Sequence, residues 1–524
     1  MNTQNESLFN NPKFLVAIVA TFLGLWGWQY YMNKTYPPVI VSQKTAAPIG
    51  VATNAITTLT SSTGVADKST TTAATVKPIE EKLFSYQDDM VSWVVSSNGL
   101  GLKSFELKKY KDRSNKQVEF SSDKIFSLVV NNQKVLFSVT AISDVELKGE
   151  AIVDGKKITR TLKYDKNKMF FDSRTEFDRG IPEISFAVED KKLVSGGSSY
   201  FMPSFDRQEF LFREGDKTKT EHISAVKEGE SLNKSAAVVS LASIGTQYFT
   251  MALIDKSETA PSLSMLVQGH EAKMVATYNL TNSQVTSLNQ LYYVGAKSTD
   301  TLKQIDPLMP EVMDLGIFAF IAKPLMVLMR LLHQILGNWG LAIIGLTLIV
   351  RLVLLPFNIM SFRSSRSMQK IQPLLKEIRE RYKSDPLKVN KETMALMKEH
   401  KANPLSGCLP MLIQIPIFFA LWKTIGSSVE IYQQPFFGWI TDLSSKDPLF
   451  IIPVLMGITM FFQQKLTPTT MDPAQQKILN FMPIIFTVFM VSLPSGLTLY
   501  NFVSALFGVT QQYFLLKDRS AKAV

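Results

Sequence analysis

One apolar stretch, residues 339–360 (WGLAIIGLTLIVRLVLLPFNIM), is long enough to cross a lipid bilayer as a helix and carries a single charge, Arg351, near its middle. An arginine at the centre of a spanning helix costs roughly 2.5 to 3.5 kcal/mol on insertion scales, so it normally faces protein or water. No aspartate or glutamate occurs in the four later apolar runs, which are residues 405–424, 449–462, 479–493 and 497–514. An ion pair inside the helical bundle is therefore not expected, and the sequence predicts a hydrated pocket around Arg351.

Polar side chains accompany Arg351 along one face of the predicted helix. Thr347 precedes it by one turn and Asn358 follows it by two, so all three project in the same direction. The alternatives are an arginine that snorkels to the interface, which its depth argues against, or one whose guanidinium is satisfied by backbone carbonyls. The later runs contain further polar residues, of which the last three follow a three-residue spacing: Gln414, Thr487, Thr498, Asn501 and Ser504.

Composition narrows the class of protein. The chain has 524 residues, a net charge of +11 and 46 % hydrophobic residues, as expected when soluble and membrane parts share one chain. The basic residues lie beside the apolar runs, which ties the charge to membrane topology. Cys408 is the only cysteine, so the sequence excludes an internal disulfide framework and a cysteine-based metal site.

The N-terminal part predicts a membrane anchor followed by a linker. Residues 14–31 are apolar and end in aromatic residues, and no small-residue cleavage site follows them, so an uncleaved anchor is favoured over a secretory signal. Residues 1–13 are then a cytoplasmic N-terminus. Residues 32–78 include stretches rich in Thr, Ser and Ala and predict a flexible periplasmic tether.

Residues 79–306 have the pattern of a β domain. Alternating runs at 91–95, 126–130 and 135–139 are joined by turn residues, and Asp154-Gly155 predicts a tight hairpin. We expect a large antiparallel sandwich. His222 and His270 show no metal-ligand spacing, which favours a scaffold or interaction domain, although a carbohydrate-type cleft would leave no motif.

Residues 307–338 predict a periplasmic amphipathic helix that lies on the membrane. Its polar residues gather on one helical face: Lys323, Arg330, His333 and Gln334. If this segment crossed the membrane, the basic segment 361–403 would end up outside. That segment carries eleven Lys and Arg against five acidic residues, so it predicts a cytoplasmic helical hairpin. Its positive charge could bind ribosomal RNA or an anionic lipid surface. The alternative is that the charge only sets the membrane topology.

The remaining sequence predicts two helical pairs, with a tight outer turn at Pro494-Ser495-Gly496. The expected segments are transmembrane helix 2 (339–360), transmembrane helix 3 (404–428), a periplasmic loop (429–447), transmembrane helix 4 (448–464), a cytoplasmic loop (465–477), transmembrane helix 5 (478–493), transmembrane helix 6 (497–515) and a cytoplasmic tail (516–524).

Four stretches resemble the YidC membrane-protein insertase family, relatives of the mitochondrial Oxa translocases. They are LIVRLVLLPF around Arg351, NPLSGCLPMLIQIPIFFALW from Asn403, DPLFIIPVLMGITMFFQQKL from Asp447 and FMPIIFTVFMVSLPSGLTLY from Phe481. The preceding anchor, tether and β domain are similar to the Gram-negative form of the family. The resemblance implies a polytopic α-helical membrane protein with six spans, a five-helix insertase core and a large periplasmic antiparallel β-sandwich domain of the sugar-mutarotase type.

The resemblance also implies a function. Such a protein sits in the bacterial inner membrane with both termini cytoplasmic, and it inserts and helps fold other membrane proteins, alone or with the Sec translocon. It does so through a hydrophilic groove closed on the periplasmic side, whose arginine matches Arg351. Together with the residues placed by spacing, the expected groove set is Arg351, Thr347, Gln414, Tyr500, Asn501 and Asn358.

The expected partners are nascent inner-membrane proteins, Sec translocon components, the phospholipid membrane, and the ribosome through the basic hairpin and tail. No enzyme activity and no cofactor are expected, and no GxxxxGK[ST] sequence is present. Two departures limit the comparison. Asn501 follows Tyr500 where a second tyrosine is expected, and the C-terminal tail is too short for a strong ribosome-binding extension.

Two other classes of membrane protein fit less well. A secondary transporter would also use polar residues and broken helices, but internal repeats are expected there and none is visible. An intramembrane protease needs a Ser/His or Asp pair within its spans. The apolar runs contain no His, Asp or Glu.

Overall fold

The computed structural model describes residues 80–112, 114–193, 207–226, 229–281, 283–383, 385–400, 409–466 and 473–520. The predicted N-terminus (1–13), anchor (14–31) and tether (32–78) lie outside these residues. The same is true of residues 401–408, where the predicted hairpin ends and transmembrane helix 3 begins.

The β domain consists of two nine-stranded sheets whose paired neighbours run antiparallel. The first has the order β1-β2-β3-β4-β10-β17-β16-β13, with β5 on β4, and the second has the order β12-β11-β14-β15-β18-β9-β8-β7-β6. The strands are β1 Leu83–Gln87, β2 Val91–Ser96, β3 Gly101–Lys111, β4 Gln117–Val130, β5 Gln133–Lys134, β6 Ser138–Ser143, β7 Glu146–Val153, β8 Lys156–Asp165, β9 Phe170–Phe177, β10 Glu183–Lys191, β11 Gln208–Glu214, β12 Lys217–His222, β13 Leu232–Ala236, β14 Val239–Thr246, β15 Phe249–Asp255, β16 Ser262–Gln268, β17 Glu271–Asn279 and β18 Ser287–Ala296. One hydrophobic core contains residues of both sheets, which confirms the predicted antiparallel sandwich.

Local sequence explains most strands and turns. Burial alternates along β9 and β17, as expected when one face of a strand lies on the core. The predicted hairpin is confirmed: Asp154 and Gly155 both have positive φ (51° and 74°) between β7 and β8, as a type I′ turn requires. The predicted strand at 135–139 is only partly correct. Residues 135–137 are irregular, and a single bridge joins Leu136 to Asn98.

A fully buried arginine ties the two sheets together. Arg160 on β8 of the second sheet donates Nη1 to the Gly99 carbonyl at 2.8 Å and Nη2 to the Phe126 carbonyl at 3.0 Å, both beside the first sheet. Of these two acceptors, Gly99 precedes β3 and Phe126 lies within β4. The Arg160 Nη2 also donates to the hydroxyl of Tyr292, on β18 of the second sheet, at 2.9 Å. Because a buried cation needs several hydrogen-bond acceptors, Arg160 fixes how the sheets face each other.

Eight α-helices occur in the described part of the chain, besides short 3-10 turns. They are α1 Thr299–Ile305, α2 Ala319–Leu336, α3 Trp339–Arg381, α4 Pro386–Glu399, α5 Leu409–Ser427, α6 Ile451–Leu466, α7 Pro473–Met490 and α8 Ser495–Ser520. Two helical segments, Gly316–Leu336 and Trp339–Arg381, are long and apolar enough to cross a membrane, and α5, α6 and α7 contain shorter apolar stretches. Helix α3 continues without a break beyond residue 360, where the predicted span ends.

The chain divides into two compact units. One contributes residues Leu374–Thr393 to the described part, which cover the end of α3 and the start of α4. The other holds the β domain and the remaining helices. In this second unit α6 packs against α7 and α8, and α5 packs against α2 and α8.

Within the larger unit the β domain packs directly on helices. The outer face of the second sheet, including Leu211 and Ile254, shares a buried cluster with Leu302 of α1, Met326 of α2 and Ala420 of α5. A second contact comes from the α5–α6 loop, where the Tyr432 ring lies 4.8 Å from that of Tyr248. These contacts fix the β domain against α1, α2 and α5.

Candidate functional site

Arg351 is half-buried within the helical bundle and bound by a hydroxyl. Its Nε donates to Ser504 Oγ of α8 at 2.7 Å, and its Nη2 donates to the same oxygen. Among the described residues no carboxylate lies within ion-pair distance of Arg351. Its positive charge is therefore not neutralised by an acidic side chain there.

Two further predicted residues join this cluster from other helices. Gln414 of α5 donates from Nε2 to the Tyr500 hydroxyl at 2.7 Å. Tyr500 is buried and lies one turn before Ser504, so both project from the same face of α8. A polar cluster formed by Arg351, Ser504, Tyr500 and Gln414 thus connects α3, α8 and α5.

The other predicted residues take different positions. Thr347 is buried and donates to the Ile343 carbonyl of its own helix at 2.6 Å, and Asn501 donates to the Leu497 carbonyl at 2.9 Å. The Asn358 amide nitrogen is buried and has no hydrogen-bond partner in the described structure. Of the three residues predicted from their three-residue spacing, Thr498, Asn501 and Ser504, it is Ser504 that accepts the hydrogen bond from Arg351.

A network of hydrogen bonds in the α5–α6 loop lies at one end of the bundle, and the sequence pattern did not predict it. Asp442 in the α5–α6 loop accepts from the Gln433 amide at 3.0 Å and from Ser444 Oγ at 2.6 Å. Its own carbonyl accepts from Ser495 Oγ at 2.8 Å, while the Gly496 amide donates to the Leu443 carbonyl at 2.9 Å. The loop is thereby bound to the start of α8. Only the tendency of Asp and Ser to order loops hinted at this role.

The predicted outer turn shifts by a few residues. Helix α7 ends at Met490 and α8 already begins at Ser495, so the turn consists of residues 491–494. Pro494 pairs with Lys446 of the α5–α6 loop. The first amides of a helix have no acceptor within the helix itself. Here the Ser495 and Gly496 amides donate to carbonyls of that loop, so these two residues can form the start of α8.

Ion pairs join the helices near the β domain. Lys423 of α5 lies 2.8 Å from Asp314, and Arg330 of α2 lies 3.0 Å from both Asp300 and Glu430. Burial by itself raises the pKa of Asp314, but the Lys423 charge and the Gly316 amide outweigh it and hold that pKa below its ordinary value. The Asp314 carboxylate is thus a stable partner of Lys423 at neutral pH.

The β domain histidines do not assemble a metal site. His222 Nδ1 lies 3.7 Å from Glu209 Oε2, and burial lowers the pKa of His222. In the part of the chain that the structure describes, no group of three or more His, Cys, Asp or Glu side chains is placed to hold a metal ion.

Comparison with known families and proteins gives consistent matches along the chain. A family model described as "60Kd inner membrane protein" matches residues 331–522, and one described as "YidC periplasmic domain" matches residues 85–328. A "Membrane protein insertase YidC" from Geotalea daltonii is 30 % identical, and the alignment covers 97 % of this chain and 99 % of that protein.

Two further matches bear on parts of the chain. The YidC insertase of Campylobacter jejuni is 49 % identical over 226 residues, but this alignment spans only 43 % of each chain. A crystal structure of an active YidC insertase with its first transmembrane domain resolved covers 83 % of this chain and 93 % of its own, at 19 % identity and a TM-score of 0.38.

Proposed function

The chain belongs to the YidC family of membrane protein insertases, and from this we propose that it inserts client membrane proteins into the inner membrane through a hydrophilic groove around Arg351. The names of its relatives describe insertion and not an enzymatic reaction. Folding assistance to clients, the chaperone role implied by the resemblance, is part of the proposal.

We assign six spans to the protein. They are residues 14–31 and the membrane parts of α3, α5, α6, α7 and α8, the last five forming the insertase core. The basic segment 361–403 then lies in the cytoplasm with both termini, in agreement with the positive-inside rule. The β domain and α2 lie in the periplasm, and the apolar length of α2 suits a helix in the plane of the interface because its Arg330 pairs with Asp300 and Glu430.

The observation that carries the proposal is the pairing of Arg351 with a hydroxyl. Ser504 and Tyr500 orient or surround the guanidinium but carry no negative charge that would cancel it. In the low-dielectric bundle an uncancelled cation attracts anions more strongly than it does in water. For a membrane insertase, the anion that Arg351 would attract is an acidic segment of a client protein.

The proposed mechanism follows from the cost of moving polar backbone through hydrocarbon. A short extracellular segment of the client enters the groove from the cytoplasm and is held at mid-depth by Arg351, so it crosses only part of the apolar layer. The apolar segment of the client then leaves sideways along α5 and α7. Its transfer into lipid supplies the free energy, so no nucleotide is needed.

The network of Asp442 supports a groove closed towards the periplasm. It binds the α5–α6 loop to the start of α8 at the end of the bundle next to the β domain. Cooperation with the Sec translocon and ribosome contact through the segment 361–403 and the tail are proposals that rest on the resemblance and on positive charge.

Reconstitution tests the proposal. The purified full chain is placed in liposomes without nucleotide or Sec components, a single-span client is synthesised beside them, and protease protection of its outer tail is measured. We expect protected client in these liposomes and background protection in empty ones. Equal protection in both would overturn the proposal of autonomous insertion.

A further inference from the structure

A charged cavity lies where the β domain meets the C-terminal end of α5. Its walls include Arg207 and Lys297 of the β domain and Trp422 and Lys423 of α5. The cavity leaves about 30 Å³ for the centres of water-sized molecules. Because one water needs roughly 10 to 15 Å³ by this measure, there is room for about two waters or one group of the size of a phosphate.

The walls of this cavity carry one more positive than negative charge. Glu209 Oε1 lies 3.4 Å from Lys297 Nζ, and Asp314 Oδ2 lies 2.8 Å from Lys423 Nζ, so each of these lysines has a carboxylate partner. Arg207 differs from both lysines, because no carboxylate of the described residues lies within ion-pair distance of it. The uncompensated charge is therefore that of Arg207.

Stacked aromatic rings lead away from the cavity along α5. The Arg207 guanidinium lies 6.0 Å from the centre of the Trp422 ring. The Trp422 ring is stacked on Phe419 at 6.2 Å, and the Phe419 ring is stacked on Phe318 at 6.0 Å. A cation above the face of an indole is attracted by the ring and keeps its N–H donors for another partner. A positive charge at one end and apolar rings along the length match the shape of an amphiphile.

We propose that this cavity binds the phosphate of an outer-leaflet phospholipid, with one acyl chain of that lipid lying on the rings of Trp422, Phe419 and Phe318. The planar guanidinium of Arg207 can donate two parallel hydrogen bonds to two phosphate oxygens. A phosphodiester supplies the single negative charge that the walls lack. In the assigned topology the C-terminal end of α5 lies at the outer interface, so the lipid reaches the cavity without leaving its leaflet.

The bound phosphate connects the β domain to α5. Arg207 directly precedes β11, and Lys423 belongs to α5, so a phosphate between them adds a contact across this junction. A free phosphate ion has the same charged group but no acyl chain, so the aromatic rings favour the lipid. The proposal rests on the membrane location of the family and not on insertion activity, and it is tested without any client.

Native mass spectrometry counts bound lipids directly. The purified full chain in detergent is titrated at pH 7 with phosphatidylglycerol, and the dissociation constant of the first bound lipid is compared between the native protein, Arg207→Gln and Arg207→Lys. Arg174→Gln is the matched control, because the Arg174 side chain is 62 % exposed on the β domain, away from the cavity. A parallel titration with inorganic phosphate tests the free ion.

We expect Arg207→Gln to raise the dissociation constant of the first phosphatidylglycerol by about tenfold, because one charge-assisted contact is lost. Arg207→Lys, which keeps the charge, should retain part of the affinity, and Arg174→Gln should bind like the native protein. Equal affinity of the Arg207→Gln and Arg174→Gln proteins would overturn the proposal. Displacement of the lipid by an equal concentration of inorganic phosphate would also overturn it, because the free ion would then be the ligand.

A photoactivatable phosphatidylglycerol locates the acyl chain. The lipid carries a diazirine in that chain and is added to the detergent-solubilised full chain at one molecule per protein. We expect the label in the tryptic peptide that ends at Lys423, which contains Phe419 and Trp422, and less of it in the Arg207→Gln protein. Label spread equally over all apolar helices, with no difference between the two proteins, would contradict a defined site.

Discussion

The Arg351 Nε donates a hydrogen bond of 2.7 Å to Ser504 Oγ, so the charge of α3 is held by a neutral group of α8. The hydroxyl orients the guanidinium without cancelling its charge. Holding the side chain and supplying the charge are therefore separate roles, and they respond to different substitutions.

Replacement of Ser504 by alanine tests the holding role. We expect Ser504→Ala to lower the free energy of unfolding by about 1.5 to 3 kcal/mol, because a hydrogen bond to a charged group is lost. Unfolding in denaturing detergent, followed by circular dichroism, measures this change. Thr510→Ala is the matched control, since that exposed hydroxyl bonds to Leu506 of its own helix. Equal stability of the Ser504→Ala and Thr510→Ala proteins would contradict the role of Ser504.

The contact between Gln414 and Tyr500 predicts a measurable coupling between α5 and α8. In a double-mutant cycle of Gln414→Leu and Tyr500→Phe, we expect a coupling energy of about 0.5 to 1.5 kcal/mol, because each single substitution already breaks the same hydrogen bond. The same unfolding assay reports it. Strictly additive effects of the two substitutions would show that the side chains do not interact.

The Asp442 network predicts a seal. We expect Asp442→Ala to raise the leakage of a small anionic dye from proteoliposomes, because the loop loses its bonds to Ser444 and Ser445 and releases the start of α8. Asp89→Ala, at an exposed carboxylate in the β1–β2 turn, serves as the control. Unchanged leakage from proteoliposomes with the Asp442→Ala protein would contradict the prediction that the Asp442 network seals the bundle.

The ion pair of Lys423 and Asp314 predicts an acid-sensitive contribution to stability. Since the pKa of Asp314 is lower in the folded protein, its stabilising effect is complete above the ordinary value near 3.8 and is lost as the pH falls further through the folded pKa. We expect Asp314→Asn to be less stable than the native protein at pH 7. The difference in unfolding midpoint should shrink below about pH 3.8. A difference that stays constant from pH 7 to pH 3 would exclude this ion pair as its source.

The sequence predicted the chemical character of the site because that character follows from composition. The lack of Asp and Glu in the apolar runs already implied an arginine without an acidic partner in the bundle, and the spacing of Thr498, Asn501 and Ser504 included the residue that binds it. Spacing could not decide which of these hydroxyl and amide groups would bond instead to the backbone carbonyl four residues earlier, as Thr498 and Asn501 do.

Long-range contacts account for what the sequence did not predict. The alternation of residues in β9 and β17 and the Asp154-Gly155 turn gave the strand type, but the pairing of β4 with β10 depends on packing between distant segments. The bond between Asp442 and Ser495 likewise joins the α5–α6 loop to the first residue of α8, which is distant in the sequence. No periodic pattern signals such a contact.

Insertion of one client by three proteins tests the central role of Arg351 most directly. A single-span client with an acidic outer tail is offered to proteoliposomes containing the native protein, Arg351→Lys or Arg351→Ala, and a client with a neutral tail is the control. We expect Arg351→Ala to reduce insertion of the acidic client by about tenfold or more, equivalent to about 1.4 kcal/mol, and Arg351→Lys to retain most of it. The neutral client should be inserted by all three. Equal insertion of the acidic client by all three proteins would contradict an electrostatic role for Arg351.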